Sequence, residues 1–230
     1  MEIQLKIIHK QEIFSSANKA LLQKAFLMYQ ETWAEIFKIQ DNFCSDTFLR
    51  QELHILLLDA DNNVCAYCAM SKHDFSIPLF KQQSYFREIP MKGIRAIKEL
   101  AISNVYSIEL LTISPSYRKK RHHLDFYSIL RQILVNITRD IQAKHVIAPT
   151  VKTNSASKEG QKHGDIICAN IIYKGLLCNL LYFNEKTAVD INDEILKRKV
   201  NKLYDEYRDS VLFLKFPDEE ENYESFRKFA

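Results

Sequence analysis

The stretch TISPSYRKKRHHLDF, residues 112 to 126, sets four consecutive cations, Arg118, Lys119, Lys120 and Arg121, before His122 and His123. An apolar strand pattern ends ahead of it at Pro115, and a helical pattern begins behind it at Leu124. A helix N-terminus presents unpaired N–H groups and the positive end of the helix dipole, so a cationic loop at this junction suits an anion. A solvated surface loop is the alternative reading. Just upstream, Glu109 interrupts the apolar run VYSIELLTIS. Removing a carboxylate from water is costly, so such a residue faces a cleft or has a partner.

Other chemistries are less well served. His122 and His123 diverge in direction at a helix start, and only Asp125 stands near enough to join them, which speaks against a metal site. RKKRHH could meet nucleic acid. Binders of that kind pair charge with exposed aromatics or a dedicated reading helix, whereas the helix that follows needs its apolar face for the core. Asp59, Asp61 and Asn63 have the alternate spacing of a calcium loop but lack its glycine and distal Glu, and read as a tight turn. Cys65 and Cys68, three apart in a strand, are expected on opposite faces as small buried residues. Trp33 reads as core.

The elements that must carry these residues follow from hydrophobic period. Residues 3 to 8 alternate as a strand, and a helix runs from the Ser15–Ser16 caps to Ile36. Leu53–Leu58 and Val64–Met70 flank DADNN as a hairpin, since Asp and Asn tolerate positive φ. Residues 75 to 104 read as an irregular insert with aromatics Phe75, Phe80, Tyr85 and Phe86 among basic residues; a connection of that length is usually functional. A central strand over 105 to 114, a helix from Leu124 and a strand over 144 to 151 then form a parallel crossover. A short helix, capped by Asn154 or Ser155 and stopped at Gly164, precedes two strands broken near Gly175. A charged helix over 191 to 207 and an acidic tail follow. The order favours a mixed α/β sheet with one parallel pair in its middle.

Composition adds limits. At 230 residues, 47% hydrophobic and 27% charged, the chain is an ordinary globular one with room for a sizeable core. A net charge of +3 does not announce a nucleic-acid binder. The five cysteines are odd in number and lack scaffold spacing, which fits a reducing cytoplasm. No apolar run approaches the roughly 20 residues of a membrane span, and the N-terminus lacks a signal peptide's apolar core.

The hairpin together with SIELLTISPSYRKKRHHLDF resembles the GCN5-related N-acetyltransferase (GNAT) superfamily, over about residues 1 to 185. In that family the fourth strand ends in a pattern like L-x-V-x-P-x-[YF]-R, matched here by Leu111, Ile113, Pro115, Tyr117 and Arg118. A loop of the form [RQ]-x-x-G-x-[GA] follows; its two small positions are Arg121 and His123 here. The resemblance implies N-acyl transfer from a thioester to an amine on a small molecule or peptide. It implies that backbone at Leu111, Thr112 and Ile113 holds the pantetheine arm. Arg118, Lys119, Lys120, Arg121, His122 and His123 would hold the donor's phosphates, and Asn154 would contact the arm or act as a plain helix cap. Glu109 takes the position of a general base, with a structural ion pair as the other reading. The family's general-acid Tyr falls on Gly160, leaving His163 as a substitute. The insert and the cationic loop are similar to those of the N-acyl amino acid synthases and autoinducer synthases, which accept long acyl chains from acyl carrier protein. The donor is therefore expected to be acyl-CoA or acyl-phosphopantetheine, with no metal. Residues 186 to 230 would pack on or extend the same domain. A catalytically silent module of this fold, binding a protein or nucleic-acid partner through its basic loop, is the competing expectation.

Overall fold

The computed structural model describes residues 2–37, 45–77, 79, 82–118, 123–153 and 155–216. Seven strands form one sheet in the order β1-β2-β3-β4-β5-β7-β6. They are β1 (Gln4–His9), β2 (Leu53–Leu58), β3 (Val64–Asp74), β4 (Asn104–Ile113), β5 (His145–Val151), β6 (Asp165–Tyr173) and β7 (Leu176–Asn184). Every neighbouring pair is antiparallel except β4 and β5. That is the mixed sheet with a central parallel pair that the element order implies.

The helices are α1 (Ser16–Phe37), α2 (Ser45–Leu49), α3 (Ser84–Glu88), α4 (Met91–Glu99), α5 (Phe126–Asp140), α6 (Ser155–Gly160), α7 (Glu194–Asp205) and α8 (Arg208–Val211). No helix among the described residues is long and apolar enough to cross a membrane. Strand alternation sorts the core into two faces. On one face Leu5, Ile7, Ile55, Leu57 and Met70 pack on Ile129, Leu130, Ile133 and Ile137 of α5, and Val200 and Tyr204 of α7 complete that layer. On the other face Ile8, Leu56, Leu58 and Tyr67 meet Leu22, Ala25, Met28 and Tyr29 of α1. Asp125 caps α5, its carboxylate accepting from the Ser128 N–H at 3.2 Å.

Three expectations need correction. The segment 75 to 104 contains α3 and α4, whose Tyr85, Phe86, Ile89 and Ile97 are buried in a third core with Val105, Ile147, Ile171 and Leu180. Helices this short, separated by Pro90, fall below the window in which a 3.6-residue period is legible. Cys65 and Cys68 share one core cluster, because the register passes from Leu57↔Ala66 to Leu58↔Val64 and leaves Cys65 as the extra residue of a bulge. The helix over 155 to 160 stops at Gly160, and Gly164 is set by packing: a Cβ there would meet the Tyr182 carbonyl oxygen at 2.9 Å and the Phe183 ring. The DADNN hairpin forms as read, with Asn62 at φ 59°. Its Asp59 carboxylate accepts from the N–H groups of Asp61 and Asn63 and from the Tyr117 hydroxyl at 2.5 Å.

Candidate active site

Two features of β4 make the site. Its register against β3 passes from Tyr67↔Thr112 to Ala69↔Glu109, so Leu110 and Leu111 together oppose Cys68. Leu110 has φ 58°, a left-handed conformation that costs a branched side chain about 1–2 kcal/mol. The second feature is separation. The parallel pairing with β5 ends at Ser107↔Ile147 although β4 continues to Ile113. Beyond that point the strands part around a mainly apolar cleft of about 200 Å³. Ile108, Glu109, Leu110 and Leu111 line it from β4, Ala148 to Val151 from β5, and Leu134 and Val135 from α5. Leu181 and Phe183 of β7 also line it, as do half-buried Thr187 and Ala188 after β7.

The wall facing α1 is polar where it meets Glu109. The Glu109 carboxylate is 5% exposed and forms a two-pronged ion pair with Arg50, which follows α2; Nη1 lies 3.1 Å from Oε1 and Nη2 contacts Oε2. Ser107 donates its hydroxyl to Oε1 at 2.9 Å. Behind Ser107 stand His73, with Nε2 at 2.9 Å from the Ser107 oxygen, and Gln83, whose amide is 3.0 Å from His73 Nδ1. Arg50 lies over the Tyr85 ring. Burial works against its charge, and Glu109 more than restores it, holding the guanidinium pKa above its ordinary value. Tyr29, Trp33 and Tyr173 complete this wall, the Trp33 indole N–H donating to Thr112 Oγ1 at 2.7 Å. Burial first, then the carboxylates of Glu109 and Glu88, push the tyrosines Tyr29 and Tyr173 up, so both stay neutral. Across the cleft, the lining includes Tyr127 and Arg131 of α5, Gly160 at the end of α6 and His163 in the turn that follows. Burial lowers the His163 pKa.

The cleft thus gathers Glu109, Leu111 and His163 from the residues singled out in sequence. Thr112 turns to Trp33, and Ile113 packs half-buried toward α5. Arg118 and exposed His123 bracket the basic loop between β4 and α5, outside the cleft lining. Lys119, Lys120, Arg121, His122 and Asn154 lie outside the described residues. Sequence reasoning missed Arg50, Ser107, His73, Tyr29 and Tyr173, and took Trp33 for core alone. Ser107 was within reach, two residues from Glu109 and hence on the same strand face; the others come from elements whose approach to β4 leaves no trace in spacing. Among the described residues no cluster of His, Cys, Asp and Glu could hold a metal ion.

No family model matches the sequence, and no curated protein matches it. Solved structures do. The AHL synthase LasI superposes with a TM-score of 0.54 at 11% identity, over 81% of this chain and 92% of its own. The N-acyl amino acid synthase FeeM, from uncultured soil microbes, gives 0.52 at 8% identity over 80% and 92%. An acyl-CoA N-acyltransferase from Pseudomonas aeruginosa gives 0.52 at 10% identity over 79% and 99%. The chain has the GNAT fold. At these identities the likeness is one of fold, and the parted β4 and β5 with a bulge beside Glu109 are what this sequence makes of it.

Proposed function

We propose that the chain is an N-acyltransferase that moves a long acyl group from a thioester donor, acyl-CoA or acyl carrier protein, to an amine. The observation that carries this is the apolar cleft between β4 and β5, with Glu109 in its wall. An acyl chain would lie between the strands, toward Leu181 and Phe183, where burial of each CH₂ contributes about 0.8 kcal/mol. Backbone of β4 past Ser107, with no ladder to β5, offers hydrogen bonds to the pantetheine arm at Leu111, Thr112 and Ile113 and to the thioester oxygen. Glu109 takes the amine proton, through Oε2 or a water, as the nitrogen attacks the carbonyl carbon. The C–N bond forms, the C–S bond breaks, and the thiolate leaves as a thiol after protonation from the far wall, where His163 and Tyr127 stand. The cationic segment from Arg118 to His123, with Lys119, Lys120, Arg121 and His122, would meet the donor's phosphate or an acidic carrier protein by charge complementarity, and Asn154 would contact the pantetheine arm. The protein would act in the cytoplasm on an amine-bearing small molecule or peptide. Residues 186 to 230 belong to the same unit as residues 1 to 185 in this reading.

The silent-module reading is favoured by one observation, the closed Arg50–Glu109 pair. One panel separates the two: melting temperature with coenzyme A, acetyl-CoA, palmitoyl-CoA and an acylated carrier protein, followed by turnover of wild type and Glu109→Gln. A ligand at a hundred times its Kd adds about 2.7 kcal/mol, or roughly 5–11 °C for a domain of this size. Stabilisation by palmitoyl-CoA or the acylated carrier, with turnover lost in Glu109→Gln, is the expected outcome. A response to acetyl-CoA alone would restrict the donor to short chains. No response to any donor would leave the silent module.

A further inference from the structure

Glu109 stands at the end of a line of buried polar groups that crosses two strands and reaches the segment before α3. The line runs from Gln83 through His73 on β3 and Ser107 on β4 to Glu109 Oε1, with contacts of 3.0, 2.9 and 2.9 Å. His73 and Ser107 are 1% and 0% exposed, so no solvent supplies the missing halves of these bonds. Each group must donate or accept in a direction the others permit.

We infer that Gln83, His73 and Ser107 form a one-way chain of hydrogen-bond donors that ends on Glu109 and holds its carboxylate oriented. This rests on Glu109 being the base proposed above. The direction follows from atom counting. A carboxylate held by a two-pronged guanidinium accepts only, so the single Ser107 hydroxyl proton points at Oε1. The Ser107 oxygen then needs a donor at its other side, and the group there is His73 Nε2. His73 is neutral, since burial lowers its pKa to about 3, and so carries one ring proton. That proton is on Nε2, and Nδ1 is bare. Gln83 Oε1 is placed 3.0 Å from Nδ1; two acceptors cannot share that contact, so the amide is turned end for end and its NH₂ donates. The opposite direction, with Nδ1–H donating to Gln83, would make Ser107 donate to His73. It would also require a protonated Glu109 to donate to Ser107.

His73 is clamped by its own surroundings, stacked on Tyr85 at 5.4 Å between ring centres and edge-on to Phe86 at 4.8 Å. Both rings belong to α3, so the insert is tied to the candidate base through an imidazole that cannot rotate. His73, Ser107 and Gln83 are positioning residues, acting through Glu109. Among the described residues, the charged and titratable groups that face Glu109 are Arg50 after α2, Tyr29 on α1, Tyr67 on β3, Tyr85 on α3 and Tyr173 on β6. Burial raises all four tyrosines, so across the neutral range they stay uncharged and Arg50 is the charged group in contact with Glu109.

The test uses the full chain with ¹⁵N-labelled histidine and ¹³Cδ-labelled glutamate. Two-bond ¹H–¹⁵N correlations are expected to show His73 as the Nε2–H tautomer at neutral pH. The Glu109 ¹³Cδ shift at fixed neutral pH is expected to move in Ser107→Ala, which loses a donor to the carboxylate, and to return toward wild type in Ser107→Thr. An Nδ1–H tautomer, or a Glu109 carboxyl shift that Ser107→Ala leaves unmoved, overturns the chain. Neither readout depends on turnover. If kcat falls in Ser107→Ala and returns in Ser107→Thr along with the carboxyl signal, Glu109 is the base; if the signal moves and kcat does not, the chain stands and the base reading fails.

Discussion

Arg50→Met is the substitution in which the structure's electrostatics and packing can be read separately. The side chain keeps most of its apolar stem against Tyr85 but loses the guanidinium that meets both Glu109 oxygens. Glu109 would then be a carboxylate 5% exposed with Ser107 as its remaining side-chain donor. Removing one partner of a buried pair costs about 3–5 kcal/mol, because the other charge is left uncompensated. At about 2–4 °C per kcal/mol for a chain of this size, the melting temperature should fall by roughly 6–20 °C. The double variant Arg50→Met, Glu109→Leu removes both charges, and similar replacements of buried pairs are neutral or stabilising by about 1–4 kcal/mol. Thermal melts of the two single variants and the double one form the assay. Recovery of at least half the single-variant loss in the double variant is expected. A drop below about 1 kcal/mol in Arg50→Met would place the pair among exposed salt bridges and refute the desolvation argument.

Ala148→Phe, on the β5 wall of the cleft, puts a ring into a space of about 200 Å³. Turnover with a long acyl donor should fall while a short donor is retained, and an unchanged chain-length profile would mean the chain lies elsewhere. Gly164→Ala drives a Cβ to within 2.9 Å of the Tyr182 carbonyl and against the Phe183 ring, and should cost about 1–3 kcal/mol in denaturant melts. Tyr117→Phe removes the donor to Asp59. Burial raises that carboxyl, but the hydrogen bonds from Tyr117 and Asn63 outweigh it and hold the pKa at about 2. A depressed carboxyl stabilises the fold above its unfolded value near 3.8, and that contribution fades as pH falls through about 2. The wild-type advantage over Tyr117→Phe should therefore be constant above pH 4 and shrink toward pH 2; a gap that persists at pH 2 would assign it to packing.

The strands and long helices were legible because each carries a period that survives without its neighbours. Leu53–Leu58 alternates toward α5 and α1 alike, and α5 repeats Leu130, Ile133 and Ile137 on one face. What failed to show were features that exist only between elements. Nothing in the composition of Leu110 announces a left-handed bulge; a Leu persists there because β3 and β5 fix β4 below it while the cleft frees it above. Cys65 changes face for the same reason, since a bulge alters the parity on which strand reasoning relies. Gly164 read as a helix stop because glycine most often is one, whereas its need comes from the Tyr182 backbone across the sheet.

The same distinction bears on the cationic loop and on Glu109. In sequence the loop is the louder signal, yet Arg118 and His123 stand outside the cleft lining, and the acidic side chain in that lining is Glu109. Glu109 itself was legible as a carboxylate in an apolar strand, but its partners are spread over the chain: Arg50 after α2, His73 on β3 and Gln83 before α3. A buried carboxylate with three side-chain hydrogen bonds from Arg50 and Ser107 is costly to assemble and contributes little net stability over an apolar replacement. Placing it beside a bulge that opens the sheet makes sense where charge is used at that spot. If the Arg50→Met, Glu109→Leu variant is as stable as wild type and transfers no acyl group, the network is kept for the reaction and not for the fold.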